Sequence, residues 1–484
     1  LALQGLIEGL NDPYATVFTP EEYGAFEEDN TGNYAGIGVQ ITELNNRVTI
    51  TAVFRRYPAD EAGLMVGDQI VEVDGVDARD WTVDRARDSI RGPAGTLVNL
   101  KVAREGLSEP LPIPIRRAQV HVSAVTATML RDSLGYILVD QMARGSSEEV
   151  DSAFGTLSDA KGIILDLRRN PGGYLVEALS MADLFLERGE TLASTVSRRP
   201  GQPNETEEDS WMARVPQRIP DKSLIILVDR FTASAAEIVA GALQDHDRAV
   251  VLGERTFGKG VVQTVIPLPG ERALRITTGD WMTPLGRSLQ IHRDPEGRPL
   301  DSYEAEDSIP TVVTEMGRTL RAGGGVFPDL MIAGDTLTTM EQELLLESAK
   351  AEIPLGLRIT EFAFEHAKAA REGTGPRELD PAVLTALYRD LEEEGLSGET
   401  LSKQEVQDYL SWRVRMAFAQ RAEQFDHALE FQAERDEVLA SAIRLLESSG
   451  SQTELFAAVA AEAARSDLAR SSEARSGSGN GTIR

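Results

Sequence analysis

The sequence predicts an α/β multidomain protein: an α/β core with an inserted, mostly β module near its start and a helical region after it. Three observations carry this. Short β-type runs with turn signals between them fill residues 36–117, apolar strands alternate with helical segments over 118–335, and from 336 onward apolar residues recur at helical spacing.

Residues 1–35 are expected to form a helical segment of the core. Leu3, Leu6 and Leu10 stand at helical spacing, and Thr19 before Pro20 is a helix start. In 36–117 the runs "GIGVQITE", "RVTITAVF", "QIVEVDGV" and "LVNLKVAR" read as strands, with "PADEAGL" as a single short helix among them. In 118–335, "GYILVDQM", "GIILDLR", "LIILVD" and "AVVLGE" read as strands, and the segments after 145, 174 and 234 as helices. "RRPGQPNETEEDSW" (198–211) reads as a surface loop. In 336–470, Thr338/Glu341 and Ser402/Glu405 have the spacing of capping boxes. Val406, Tyr409, Leu410, Val414 and Ala417 then trace one helix face, interrupted by Arg413. Residues 471–484 are expected to be a disordered tail.

Composition narrows function. With 78 Asp and Glu against 49 Lys and Arg, the net charge of -29 argues against a nucleic-acid partner, since no basic stripe is present for phosphates. The chain has no cysteine, which excludes disulfides and thiolate chemistry. Neither H-E-x-x-H nor a cysteine–histidine cluster is present, so no metal or other cofactor is expected. No stretch is long enough to span a bilayer. The first residue is Leu1, and the chain reads as a fragment or processed form from which a signal peptide or anchor has been removed.

Within "LIILVDRFTASAAEIVAGAL" (224–243), Ser234 stands in a run of small residues and is a candidate nucleophile. A hydroxyl needs a neighbouring base. His246, in "QDHDR", reads as a solvated loop or helix end, and Ser234 is not in G-x-S-x-G. Lys259, in "ERTFGKGVVQTVIPL" (254–268), is the other option, because desolvation can leave a lysine neutral. In an extended chain Lys259, Val261 and Gln263 share a face, so the uncharged Gln263 amide can hold the lysine without raising its pKa. Residue types alone leave a structural lysine in a turn equally open. An oxyanion needs amide donors. Gly172 or Gly173, in "GIILDLRRNPGGYLVEAL", and Ala235 beside the serine are the candidates, although an ordinary strand–helix turn uses the same N-P-G-G. Ala233 and Ala236 are expected to leave room for a peptide.

"LDLRRNPGG", "TASAAE" and "TFGKGVVQ", collinear with "DPYATVFTPEEY", "GIGVQI", "PADEAGLMVGDQIVEVDG", "IRGPAGT", "TPLGRSLQ" and "GGGVFPD", resemble the carboxyl-terminal processing (tail-specific) proteases over residues 11–329. The resemblance implies a core similar to the Clp-protease/crotonase group and a PDZ-like domain at 36–117. It implies a serine endopeptidase with Ser234 as nucleophile, Lys259 as general base and Gln263 orienting the lysine. Gly172 or Gly173, with Ala235, would form the oxyanion hole. Gly36, Ile37, Gly38 and Val39 would bind the substrate C-terminus, making proteins or peptides with flexible, apolar tails the expected partners. A periplasmic or extracytoplasmic location follows from the same resemblance, with an N-terminal anchor. The segment 291–322 is longer than the family's link. His121 and His292 fall outside every motif and are assigned structural or surface roles. The helices after 336 match no motif; internal packing leads over a homo-oligomer contact, a lid or an adaptor dock. The alternative function is a non-catalytic tail-binding scaffold with a retired protease core. An acyl-CoA enzyme of crotonase type is remote.

Overall fold

A computed structural model describes all residues except 1–4, 6, 8, 11, 132, 199–204, 295, 301–308 and 478–484, with side chains to 466. Two compact units emerge. One comprises residues 1–31, 123–336 and 429–484; the other comprises 32–122 and 337–428. Most of the helix expected around Leu3 and Leu6 lies outside the described residues.

The first unit is built on a six-stranded sheet in the order Val125–Leu130, Leu134–Val139, Gly162–Asp166, Ser223–Val228, Val250–Gly253, Leu330–Met331. Its first pair is antiparallel and the rest are parallel. The parallel strands read as continuous apolar runs because both faces are covered. Ile163, Leu165, Leu224, Ile226 and Val228 face the helices Ser146–Thr156, Leu175–Asp183 and Ala235–Asp245. Their neighbours Ile164, Ile225 and Leu227 pack with Leu439, Ile443 and Leu446 of helix Glu437–Ser448 and with Leu455 and Phe456. A buried ion pair fixes that helix: Arg168 bonds Asp436 at 2.7 Å and Asp166 at 2.6 Å.

A second sheet in this unit joins Thr16–Phe18, Arg272–Met282, Thr191–Arg198 and Thr206–Met212, with Val261–Leu268 also pairing Arg272–Met282. The expected loop at 198–211 is therefore partly a hairpin. Thr206–Met212 is an edge strand whose charged residues face solvent, which hid its β character, and 199–204 lie outside the described residues.

In the second unit, Val39–Leu44, Arg47–Val53, Gln69–Val73, Leu97–Ala103 and Leu111–Arg116 form an antiparallel sheet around a separate core containing Ile50, Ile70, Val98 and Leu100. Two elements differ from expectation. Leu111–Arg116 carries Pro112 and Pro114, which an edge strand tolerates. "PADEAGL" is not the only helix: Val83–Ile90 is a second, N-capped by Thr82 Oγ1, which accepts from Arg85 N at 3.3 Å. Only Ala86 and Ile90 of that helix are buried, so its apolar signal is thin.

The helical region expected over 336–470 divides between the units, its last helices covering the six-stranded sheet. The Thr338/Glu341 box forms. The Ser402/Glu405 box does not. Ser402 closes helix Gly398–Leu401 and donates its hydroxyl to Glu399 O at 2.8 Å, while Lys403 caps the next helix. Helix Gln452–Gly477 runs through "SSEARSG", the first seven residues of the segment expected to be disordered; alanine, glutamate and arginine are good helix formers. Residues 478–484 lie outside the described chain. Among the described residues no helix is long and apolar enough to cross a membrane.

Candidate active site

The site forms at the carboxyl ends of the parallel strands, where open α/β sheets leave their crevice. Strand Ser223–Val228 ends at Asp229, whose Oδ1 accepts from the backbone N–H groups of Arg169 (3.0 Å), Phe231 (2.9 Å) and Thr232 (3.0 Å). Thr232 Oγ1 donates to Leu167 O at 2.9 Å, and Ala233 N to Asn170 O at 2.9 Å. Two adjacent strand-end loops are thus laced together. Ser234 then turns the chain into helix Ala235–Asp245 with φ 54° and ψ −119°. A side chain in that conformation costs roughly 1–3 kcal/mol, so its surroundings must impose it. The sequence lacks G-x-S-x-G, yet the backbone makes the same kind of sharp, strained strand-to-helix turn.

Glu237 imposes much of it. Fully buried, it accepts from Ser234 N (2.8 Å), Gly258 N (2.8 Å), Lys259 N (2.8 Å) and Thr256 Oγ1. One carboxylate therefore ties the serine turn to the lysine loop. Burial pushes its pKa up, and the hydrogen bonds pull it back. Glu237 was missed as a site residue, although S-A-A-E at 234–237 has capping-box spacing, a signal that could have found it.

Lys259 follows at once on this hub. Its Nζ donates to Gln263 Oε1 at 2.7 Å, and Gln263 Nε2 donates to Tyr14 O at 2.9 Å. The ammonium also lies 4.9 Å from the centre of the Tyr14 ring. A straight strand would hold residues four apart at about 13 Å. Here the strand proper begins at Val261, and a bulge between Val262 and Gln263 shifts the register. The flanking glycines have a packing reason: a Cβ on Gly260 would lie 2.9 Å from Gln290 N, and one on Gly258 2.6 Å from Ile291 Cγ1. Burial, then the nearby Arg275 charge, lowers the Lys259 pKa to about 8 against the opposing pull of Glu237 and Asp12. Among the described residues, no hydrogen bond joins Lys259 Nζ to Ser234 Oγ.

The two candidate glycines differ. Gly172 N donates to Asn170 Oδ1 at 2.9 Å. The amides of Gly173 and Ala235 have no acceptor among the described residues. A Cβ on Gly172 would lie 2.8 Å from Ser234 Cβ and 2.9 Å from Ala235 N, so its missing side chain keeps the serine and that amide open. An open cleft of about 480 Å³ adjoins, lined by Tyr14, Pro171, Phe231, Ala233, Phe257 and Lys259, with Arg169 at its wall. Ala233 thus borders the space expected for a peptide. Ala236 does not; it is fully buried in the core under the helix. His246 ends the helix that Ser234 begins, about 18 Å along, with Nε2 2.7 Å from Thr191 O.

In the second unit, Gly36, Ile37 and Val39 line a groove of about 210 Å³ against Val83 and Ile90 of helix Val83–Ile90, with Arg91 at its end. Ile37 is also buried in the module's core. Gly38 has φ 82° and packs so closely on Tyr57 that a Cβ would lie 2.5 Å from Tyr57 Cβ. The amides of Ile37 and Gly38 have no acceptor among the described residues.

Residues 133–296 match the family model of Peptidase family S41, and residues 26–103 match that of the PDZ domain. The chain thus carries one segment similar to PDZ domains and one similar to S41 peptidases. It is 37% identical over 295 residues to a carboxy-terminal-processing protease of Bartonella bacilliformis, covering 60% of this chain and 66% of that protein. It is 36% identical over 291 residues to a carboxyl-terminal-processing protease of Synechocystis sp., covering 58% and 66%. A solved photosystem II D1 C-terminal processing protease is similar at 26% identity, over 68% of this chain and 80% of that one, with a TM-score of 0.36. The resemblance carried by the sequence motifs, to the carboxyl-terminal processing proteases, is borne out. The chain spans 66% of the length of the two relatives.

Proposed function

We propose that this protein is a serine endopeptidase that cleaves polypeptides near their C-termini. The observation that carries the reading is Lys259, partly buried, with its pKa lowered to about 8, held by Gln263 at 2.7 Å and tied through Glu237 to the strained Ser234. Neutral Lys259 takes the proton from Ser234 Oγ as that oxygen attacks the scissile carbonyl. The oxyanion is received by the Gly173 and Ala235 amides, a choice supported by the engagement of Gly172 N with Asn170. Lys259 then gives the proton to the leaving amine; neutral again, Lys259 deprotonates a water that attacks the acyl carbonyl, and the proton returns to Ser234 Oγ as the ester bond breaks. Lysine must swing from Gln263 to the serine for the first step, so substrate binding is coupled to alignment.

The groove beside Gly36–Val39 holds the substrate tail. Its carboxylate meets free amides, its last side chain meets apolar walls, and the preceding residues pair as an added strand. The same reading puts the enzyme outside the cytoplasm, which cell fractionation of the native protein tests. Cleavage of an unstructured protein by Ser234→Ala and Lys259→Ala variants tests the dyad. Each is expected to lose activity by about 10³-fold or more; wild-type rates in either overturn it. A tail-binding scaffold without catalysis is the outcome in which even the wild type binds such a protein and leaves it intact.

A further inference from the structure

Arg168 and Arg169 are neighbours with opposite fates. Arg168 is buried between Asp166 and Asp436. Arg169 is exposed on the wall of the serine cleft. Its backbone is in the left-handed region, φ 61°, and its N–H is fixed to Asp229 Oδ1 at 3.0 Å. That same carboxylate oxygen fixes Phe231 N, so Arg169 and Phe231 are held as two parts of one wall. Among the described residues the Arg169 guanidinium makes no ion pair and no hydrogen bond. The neighbouring Arg230 guanidinium lies 5.0 Å from the centre of the Phe231 ring and, among the described residues, makes no ion pair. On a chain of net charge -29, the charged residues lining this cleft among the described residues are both cations, Arg169 and Lys259.

We propose that Arg169 makes the cleft select a carboxylate-bearing substrate residue near the scissile bond. This rests on the endopeptidase reading above. The planar guanidinium is suited to bidentate capture of a carboxylate, and the apolar walls of Phe231, Phe257 and Pro171 pack the methylenes that lead to it. The carboxylate has two sources, an acidic side chain or the free C-terminus of a short substrate.

The test uses the full chain and a set of unstructured peptides that differ by a single Glu-for-Gln exchange, scanned through the four positions on each side of a cleavage site mapped by mass spectrometry. A parallel set carries an amidated C-terminus. At one position wild type is expected to cleave the Glu peptide with kcat/KM about fivefold above its Gln partner, and the ratio falls to about one in Arg169→Gln. If instead amidation lowers kcat/KM about fivefold in wild type and has no effect in Arg169→Gln, the bound carboxylate is the chain terminus, and the proposal stands with that source. A wild-type enzyme that cleaves the set with no preference for either carboxylate overturns the proposal alone, as does a preference that survives in Arg169→Gln. Failure of the wild type to cleave any peptide overturns the endopeptidase reading and this inference with it.

Discussion

The serine cleft and the groove beside Gly36–Val39 both contain backbone amides with no acceptor among the described residues, and they are built in opposite ways. In the cleft, a fully buried carboxylate organises the amides of Ser234, Gly258 and Lys259, and the serine itself sits at φ 54°. In the groove the positive φ belongs to a glycine, Gly38, and the neighbouring packing is apolar, through Ile37 and Tyr57. Strain in a serine must be held by charge and hydrogen bonds, whereas a glycine adopts the same region freely. The cleft is therefore brittle and the groove tolerant, with a different kinetic consequence for damage to each.

Among changes that leave Ser234 and Lys259 in place, the largest effect follows from breaking the hub. Glu237→Gln keeps the shape but sets an NH₂ group among donors that need an acceptor. Thermal or denaturant unfolding is expected to show a loss of about 2 kcal/mol, and kcat/KM falls about 100-fold from misplacement of the serine and lysine. Because Glu237 raises the Lys259 pKa, removing its charge also moves the midpoint of the pH–rate profile to lower pH. A variant that loses stability but keeps the wild-type midpoint would reduce Glu237 to a packing role. Affinity for a tail peptide is expected to be unchanged, since the groove has its own core.

The contrast also explains what the sequence could disclose. The central strands were legible because burial on both faces leaves an uninterrupted apolar run, as in "LIILV". The motif-bearing residues Ser234, Lys259 and Gln263 were nameable from local residue types. Glu237 showed only its capping-box spacing with Ser234; its tie to the lysine loop was hidden, because three of its four donors lie in the loop at 256–259. The helix Val83–Ile90, which forms one wall of the groove, was missed because five of its eight residues are charged or serine on the solvent side. Ser402 misled for the reverse reason: the box spacing was present, but the hydroxyl was already spent on the preceding turn. Which helices after 336 join the catalytic sheet was decided by long-range packing of Leu439, Ile443 and Leu446, which periodicity alone does not assign to a partner.

The next effect sharpens the comparison through pH. With the Lys259 pKa at about 8, kcat/KM should rise with pH through that value and level off above it, because the neutral amine is the active form. Replacing Gln263 by Glu puts a carboxylate against the ammonium. It stabilises the charged form and raises the pKa by about one unit or more, so the rate near pH 7 drops about tenfold and recovers when the pH is raised by the same interval. A pH–rate series for wild type and Gln263→Glu reads both. An unmoved midpoint would mean that Lys259 is not the group whose deprotonation limits the reaction.

The smallest effect belongs to the groove and tests its tolerance. Gly38→Val introduces a β-branched side chain at φ 82°, with the Cβ aimed at Tyr57 Cβ. The loop must shift, and with it the Ile37 and Gly38 amides, but the apolar walls from Val83 and Ile90 remain. Binding should weaken without loss of the chemistry. KM for a long, unstructured substrate is expected to rise about fivefold while kcat stays near wild type. A short peptide that reaches only the serine cleft should be cleaved equally well by both proteins. If kcat for the long substrate falls instead, the groove acts on the alignment of Lys259 and Ser234 as well as on capture, and the division between a brittle catalytic cleft and an independent, tolerant groove gives way.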